Sequence, residues 1–117
     1  MRLNEVVYDG SKPIEGYGPG FFRIGGQVIE GPVLILPSGA VGWGGLEATA
    51  PLLAAAGNID VLFLGTGAEI SHAPASLRGA LERANIGLEV MATPPACRAY
   101  NVVLSEGRRI GAALLPV

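Results

Sequence analysis

The sequence predicts an α/β fold in which a mostly parallel sheet is flanked by helices and preceded by short antiparallel strands. Two observations predict it. Glycine and proline recur every few residues up to about residue 45, which is typical of short strands joined by tight turns. From about residue 46 onward, apolar strand patterns alternate with amphipathic helix patterns, and this alternation favours parallel strands joined by right-handed crossovers.

The size and composition indicate one compact domain over residues 1–117, with a turn-rich β part at about 1–45 and an α/β part at about 46–117. The chain is 50% hydrophobic and 15% charged. Its formal net charge of -2 speaks against a nucleic-acid partner, which requires a basic face. The low charge favours a protein partner or a homo-oligomer instead.

The cellular compartment follows from cysteine use and from the N-terminal segment. A single cysteine, Cys97, cannot form an internal disulfide, which fits a reducing compartment. The first residues lack the basic and then apolar pattern of a secretory signal, and no apolar run approaches the roughly 20 residues of a membrane span. We therefore expect a cytoplasmic protein without a membrane-spanning segment.

The turn-rich part predicts a hairpin followed by a buried strand. Phe21–Ile24 and Gln27–Glu30 are expected to pair through a turn at Gly25-Gly26. Val33–Leu36 is continuously apolar, which predicts a strand covered on both faces.

The α/β part predicts three helices between further strands. The first is expected to be capped by Thr49 and to end at Gly57-Asn58, and the second to span residues 74–84. The other expected elements are strands at 61–64, 88–91 and 110–115, and a last helix capped by Thr93 with Pro94 at its first position and Gly107 as its stop.

Gly65-Thr66-Gly67 follows a buried strand at its carboxyl end, where open α/β sheets bind ligands. Two glycines allow a backbone to approach an anion, and a following helix start favours negative charge. The segment lacks the lysine of a phosphate loop and the third glycine of a dinucleotide fingerprint. The alternative interpretation is a tight turn against a neighbouring strand.

The start of the last helix brings polar groups toward the same crevice. Thr93, Cys97 and Arg98 lie where backbone N–H groups are expected to point outward. The helix start and Arg98 favour a thiolate, whereas an unpaired cysteine is more often a small buried hydrophobe. A nucleophilic Cys97 would need His72 as its base, and the sequence offers no third residue to orient that pair.

Tyr100 and Asn101 share a helix face with Cys97. An asparagine inside a helix and flanked by apolar residues indicates a hydrogen-bonding role, which we expect to tie the helix to the turn at residues 65–67. Arg108 and Arg109 follow the helix stop, where solvation or the helix dipole explains them. The sequence predicts no catalytic set, no metal site and no cofactor, because one histidine, one cysteine and scattered carboxylates show no ligand spacing.

Several segments, taken in chain order, resemble those of a known family. They are Tyr17-Gly18-Pro19-Gly20-Phe21-Phe22 with Ile24, Leu36-Pro37 with Trp43, Leu64-Gly65-Thr66-Gly67, Gly87-Leu88-Glu89-Val90-Met91 with Thr93, Ala96-Cys97-Arg98-Ala99-Tyr100-Asn101, Glu106-Gly107-Arg108, and Ala112-Ala113-Leu114-Leu115-Pro116. They resemble the complex I assembly factor 3 family, whose bacterial and archaeal members were catalogued as a domain of unknown function.

The resemblance implies a three-layer fold with an antiparallel β element packed beside a mixed central sheet flanked by helices. It also implies a role in the early assembly of respiratory complex I, alongside another assembly factor. Bacterial genes of the family sometimes lie near protein-export genes. Ala92 departs from the family, which commonly has an aspartate before the threonine, and this weakens an acid–base role for the turn.

These observations predict a non-enzymatic interaction protein that assists assembly of a membrane complex, with respiratory-complex subunits or another assembly factor as partners. Two alternatives stay open. One is a small-anion-binding protein or enzyme that uses the crevice between the turn at 65–67 and Cys97. The other is an accessory protein in protein export or inner-membrane biogenesis. The expected contact residues are Gly65, Thr66, Gly67, Thr93, Cys97, Arg98, Tyr100 and Asn101.

Overall fold

The computed structural model describes residues 11–117 of the chain. Within this part, the elements follow one another from strands to alternating helices and strands. They are β1 (Ile14–Gly18), β2 (Phe21–Ile24), β3 (Gln27–Glu30), β4 (Val33–Leu36), β5 (Gly39–Gly42), α1 (Ala50–Leu53), β6 (Val61–Thr66), α2 (Ala75–Arg83), β7 (Gly87–Met91), α3 (Thr93–Ser105) and β8 (Ile110–Leu115).

The first three strands form an antiparallel sheet in the order β1-β2-β3. Gly25 and Gly26 connect β2 to β3 with φ angles of 59° and 78°. Glycine adopts this left-handed region without strain, and two such residues make the tight turn that suits a two-residue hairpin. The predicted hairpin is therefore confirmed.

The other five strands form a mixed sheet in the order β5-β4-β8-β6-β7. β6 runs parallel to β7 and β8, whereas β4 runs antiparallel to β5 and β8. The parallel pairings thus belong to the helix-connected strands alone. β4 and β5 are joined by the short turn at Pro37 and Ser38, which can only connect antiparallel strands. The sequence did not predict β5.

The mixed sheet separates two apolar cores. One face packs against α3 and the three-stranded sheet, and its core includes Phe22, Phe63 and Tyr100. The opposite face packs Leu64 against α1 and α2, through side chains such as Leu77. Side chains alternate between the two faces along each strand. The three-layer α/β fold implied by the resemblance is confirmed.

Two helix predictions need correction. α1 is a single turn that ends at Leu53, well before Gly57, and the Thr49 side chain makes no capping hydrogen bond. α3 begins at Thr93, one residue earlier than predicted, so its N-cap residue is Ala92 and not Thr93. Thr93 is not the cap because its hydroxyl is already bonded to backbone groups at the ends of β6 and β8, as described below.

Among residues 11–117, no helix has both the length and the apolar composition required to cross a membrane.

Candidate functional site

Gly65 lies at the carboxyl end of β6, directly beneath the start of α3. A Cβ atom at this position would lie 2.7 Å from Thr93 Oγ1, 2.8 Å from Leu114 Cδ2 and 3.0 Å from Thr93 Cα. Cβ atoms in proteins essentially never make contacts shorter than 3.0 Å. Gly65 is therefore required by the close approach of α3 to the sheet, which supports the structural interpretation of the glycine pair.

Thr93 is fully buried and joins three chain segments. Its hydroxyl donates to Leu115 O at 2.6 Å and accepts from the Gly67 backbone N–H at 2.8 Å. The Thr93 backbone N–H donates in turn to Gly67 O at 2.8 Å. Because Gly67 follows β6 and Leu115 ends β8, this one residue fixes the first turn of α3 to two neighbouring strands.

The start of α3 has no backbone N–H left for a ligand. The Thr93 N–H is bonded to Gly67 O, and the Ala96 N–H donates to Ala92 O at 3.1 Å. The two residues between them, Pro94 and Pro95, carry no N–H at all. The expectation that N–H groups point outward here is therefore wrong, and the anion site that it implied has no donors from the helix.

The same two prolines explain why alanine is tolerated at position 92. An N-cap aspartate accepts hydrogen bonds from the second and third residues of its helix, which in α3 are prolines. A carboxylate at position 92 would find no such partner. Only a dipole contribution of about 0.3–1 kcal/mol is then lost with Ala92.

Thr66 faces away from Cys97. Its hydroxyl donates to Glu69 O at 2.9 Å and accepts from the Ser71 N–H at 3.0 Å, so it shapes the loop that leads to α2. By strand alternation, Thr66 shares a face with Leu64, whose core packs against α1 and α2. Cys97 belongs to the core on the other face of the sheet. The two side chains therefore do not line one groove.

Cys97 is a buried apolar contact of α3, with 4% of its surface exposed. Burial raises the pKa of its thiol to about 11, and this outweighs the opposite effect of the Arg98 charge. The neutral thiol is thus the stable form. His72 is exposed on the loop before α2, and its neighbour Ala73 packs in the core on the opposite face. The structure does not bring Cys97 and His72 together.

Raising the pH from 9 toward 11 is expected to destabilise the fold through Cys97. Because burial raises the pKa of this thiol from 9.0 to about 11, the unfolded chain loses its proton first, and stability falls with pH across this window. Below pH 9 both states keep the proton, so the thiol adds no slope. Urea unfolding at several pH values measures the effect. The Cys97→Ala variant should show a shallower decline, and identical slopes would contradict the prediction.

Tyr100 and Asn101 fasten α3 to the N-terminal sheet. Asn101 accepts from the Ile14 N–H at 2.8 Å and donates to Ile14 O at 2.8 Å. The Tyr100 hydroxyl donates to Lys12 O at 3.0 Å, and burial raises the pKa of this phenol. A hydrogen-bonding role for Asn101 was correctly predicted, but its partner is the backbone of β1 and not the turn at residues 65–67.

Replacing Asn101 with alanine is expected to lower the free energy of unfolding by about 1–3 kcal/mol, because it leaves a partly buried N–H and C=O of Ile14 without their partner. Amide hydrogen exchange at Ile14 should accelerate more than exchange at Leu64, which lies in the central sheet. Ser105→Ala, on the exposed side of the same helix, is the control and should change little. Unchanged protection at Ile14 would count against this role.

Arg98 is the one residue of the predicted contact set whose side chain is exposed. The remaining seven are buried or half-buried. Most of the predicted set therefore positions the layers of the fold.

The sequence did not predict a side-chain contact at the beginnings of two neighbouring strands, between Arg109 and Asp60, which we call the clasp. The Arg109 guanidinium donates to both carboxylate oxygens of Asp60, at 2.7 and 3.3 Å, and to Gly57 O at 2.9 Å. This contact lowers the pKa of Asp60. Asp60 directly precedes β6, and Arg109 directly precedes β8. The contact between them could have been predicted from the parallel pairing of these two strands.

The surface of the described residues includes a wide hollow and a smaller one. The wide one, of about 600 Å³, borders the clasp and is lined by Leu36, Pro37, Ser38, Ala54, Ala55, Asn58 and Arg109. The smaller one, of about 250 Å³, is lined by Ile70, Ser71, His72, Arg78 and Val90. No group of three or more histidine, cysteine or acidic side chains within residues 11–117 could hold a metal ion.

Comparison with known proteins identifies the family of this chain. A family model described as a protein of unknown function (DUF498/DUF598) matches residues 14–115. The chain belongs to this family. The match runs from Ile14, which Asn101 holds, to Leu115, which Thr93 holds, so it includes these two contacts of α3 but not the Lys12 carbonyl bonded by Tyr100.

Relatives of this DUF498/DUF598 chain include one from Rhodobacter capsulatus, an uncharacterized protein that is 50% identical over 117 residues, which are 100% of this chain and 94% of the relative. Another is NADH dehydrogenase [ubiquinone] 1 alpha subcomplex assembly factor 3 of Danio rerio, 34% identical over 110 residues. That alignment covers 88% of this chain and 63% of the fish protein. The resemblance to the complex I assembly factor 3 family is thereby confirmed.

A solved structure shares the fold of the DUF498/DUF598 chain. It is described as the crystal structure of an outer membrane protein from Bartonella henselae and is 34% identical. The TM-score is 0.85, and the superposition covers 93% of this chain and 98% of that one.

Proposed function

We propose that this protein is a non-enzymatic interaction protein that assists the assembly of a membrane complex, respiratory complex I. The observation that carries the proposal is the alignment of 88% of the chain with a protein named as an NADH dehydrogenase assembly factor. The chain spans less than two thirds of that relative, so the proposal concerns the activity of the shared region.

The geometry of the polar residues supports a role without catalysis. The side chains of Thr93, Tyr100 and Asn101 form hydrogen bonds with backbone groups of the same chain. Cys97 is buried with a raised thiol pKa, and the potential base His72 lies across the sheet. Such groups stabilise a rigid scaffold, and a rigid scaffold suits recognition of another protein.

Two solvent-facing regions are available to a partner, one on α3 and one on the loop that leads to α2, on the other face of the mixed sheet. Arg98 and Val102 lie one turn apart on α3, and 57% of Val102 is exposed. The loop shaped by Thr66 presents Ile70, with 66% of its surface exposed. Large apolar side chains that face solvent contribute buried apolar area when a partner covers them. We place this interaction in the cytoplasm, with respiratory-complex subunits or another assembly factor as the partners.

Deletion of the gene in its native host is expected to lower the amount of assembled NADH dehydrogenase in isolated membranes. The wild-type gene should restore it. Val102→Asp and Ile70→Asp should restore it poorly while the proteins remain folded, because both positions are exposed. Ser105→Ala serves as a neutral surface control. Normal assembly of complex I in the deletion strain would refute the proposal.

The small-anion alternative now depends on a different place in the molecule. The helix start offers no free N–H, whereas each of the two hollows described above is lined by an arginine, Arg109 in the wide one and Arg78 in the smaller one. A thermal-shift screen with nucleotides and organic acids tests it, since a ligand that binds only the folded state raises the melting temperature. Co-purification with export components would instead favour a role in protein export.

A further inference from the structure

Among the residues that the structure describes, β7 has one edge without a partner strand. β7 ends the order of the mixed sheet, and within residues 11–117 it pairs with β6 alone. The Gly87 N–H donates to Asp60 O at 2.8 Å, on the β6 side. Because backbone groups alternate in direction along a strand, Glu89 and Met91 also point toward β6. The N–H and C=O groups of Leu88 and Val90 therefore point toward the open edge.

The two faces of this edge differ in chemistry. On the α2 face, Val90 borders the smaller hollow, of about 250 Å³, together with the exposed Ile70, the imidazole of His72 and the guanidinium of Arg78. On the other face, the exposed Glu89 places a carboxylate in the middle of the strand. An apolar hollow with a cation thus lies on one side of the free backbone groups, and a negative charge lies on the other.

We propose that the open edge of β7 binds an extended segment of a partner protein as an added strand. Main-chain hydrogen bonds to Leu88 and Val90 would supply affinity, and alternate side chains of the partner would supply specificity. The segment carries an aromatic residue that enters the hollow and stacks near Arg78, and an arginine or lysine on the neighbouring position that faces Glu89. The inference rests on the proposed function because it requires a protein partner. It does not require that the partner belong to respiratory complex I.

Charge argues for a different partner rather than a second copy of this chain. In antiparallel self-pairing centred on the strand, Glu89 of one copy would lie opposite Glu89 of the other. Like charges directly opposite each other destabilise a strand pair. A charge in the middle of an edge strand is a common device against self-association. A basic partner segment would instead be attracted by Glu89. The same carboxylate therefore disfavours a second copy of this chain and favours a basic partner.

Two labelled peptides test the proposal by fluorescence polarisation with the whole chain. One has the sequence Ser-Val-Arg-Phe-Arg-Val-Ser, and the other replaces both arginines with glutamates. The arginine peptide is expected to bind at least about fivefold more tightly, as cross-strand charge pairs predict. Glu89→Lys should reverse this preference. Because Glu89 is exposed, this variant is expected to keep its fold.

A second pair of variants tests the backbone contacts. Val90→Pro removes an outward N–H without removing a bond to β6, and proline is tolerated on edge strands for this reason. Val90→Thr keeps the N–H and approximately the same shape. Binding of the arginine peptide is expected to be lost in Val90→Pro and largely kept in Val90→Thr.

Equal binding of the two peptides, or binding that neither Glu89→Lys nor Val90→Pro changes, would overturn the inference. A dimer of the wild-type chain that dissociates in Val90→Pro would overturn it in favour of a second copy. If Val90→Pro fully restores complex I assembly in the deletion strain, the inference fails while the proposed function stands. Specific peptide binding together with normal complex I assembly in the deletion strain would support the inference and refute the proposed function.

Discussion

Replacing Gly65 with alanine is expected to lower the free energy of unfolding by about 2–3 kcal/mol, the upper range for overpacking a well-packed core. The added methyl group would overlap Thr93 Oγ1 and Leu114 Cδ2 and would approach the Thr93 backbone at 3.0 Å. Side chains can rotate away, but a helix backbone held by the Gly67 hydrogen bonds cannot. Urea unfolding followed by circular dichroism measures the loss.

Gly42→Ala is the matched control for this substitution. Gly42 also lies in a strand of the mixed sheet, and a Cβ atom there has no neighbour within 4 Å. This variant should be as stable as the wild type or slightly more stable, because alanine restricts the unfolded chain. If the two variants lost the same stability, the close approach of α3 to Gly65 would not be the cause.

Replacing Thr93 with valine is expected to cost about 2–4 kcal/mol, because it leaves two groups, the Gly67 N–H and Leu115 O, without the hydroxyl that bonds both. Valine has nearly the same shape as threonine, so the loss reports the hydrogen bonds rather than the packing. The unfolding free energy and hydrogen exchange at Gly67 are the measurements, and both should change together.

Thr93→Ser separates the hydroxyl from the methyl group. It retains both hydrogen bonds and should be clearly more stable than Thr93→Val, with a loss of about 1 kcal/mol for the missing methyl group. The reverse order of the two variants would mean that packing, and not hydrogen bonding, dominates at this position.

The elements that the sequence predicted well are those whose signals are local. The apolar run of β4 and the glycine turn between β2 and β3 depend on burial and on φ angles within a few residues. β5 was missed because two glycines in its four residues give no alternating pattern. It forms a strand because the preceding turn folds it back on β4.

The candidate site was harder to predict because its contacts are distant in sequence. Asparagine at position 101 indicated a hydrogen bond, but its partner Ile14 lies 87 positions away. Thr93 had the residue type and place of a helix cap, yet Gly67 and Leu115 use its hydroxyl. Residue type therefore indicated that these side chains form hydrogen bonds, and only the tertiary arrangement determined with which partners.

The position of β8 in the sheet determines when this protein can fold during translation. β8 lies between β4 and β6, yet it is the last of the three strands to be synthesised. Until it emerges from the ribosome, the apolar edges of β4 and β6 have no partner between them, and such edges invite aggregation. The nascent chain is thus expected to engage chaperones, and chains that stop before Ile110 should be degraded rather than accumulate as shortened forms.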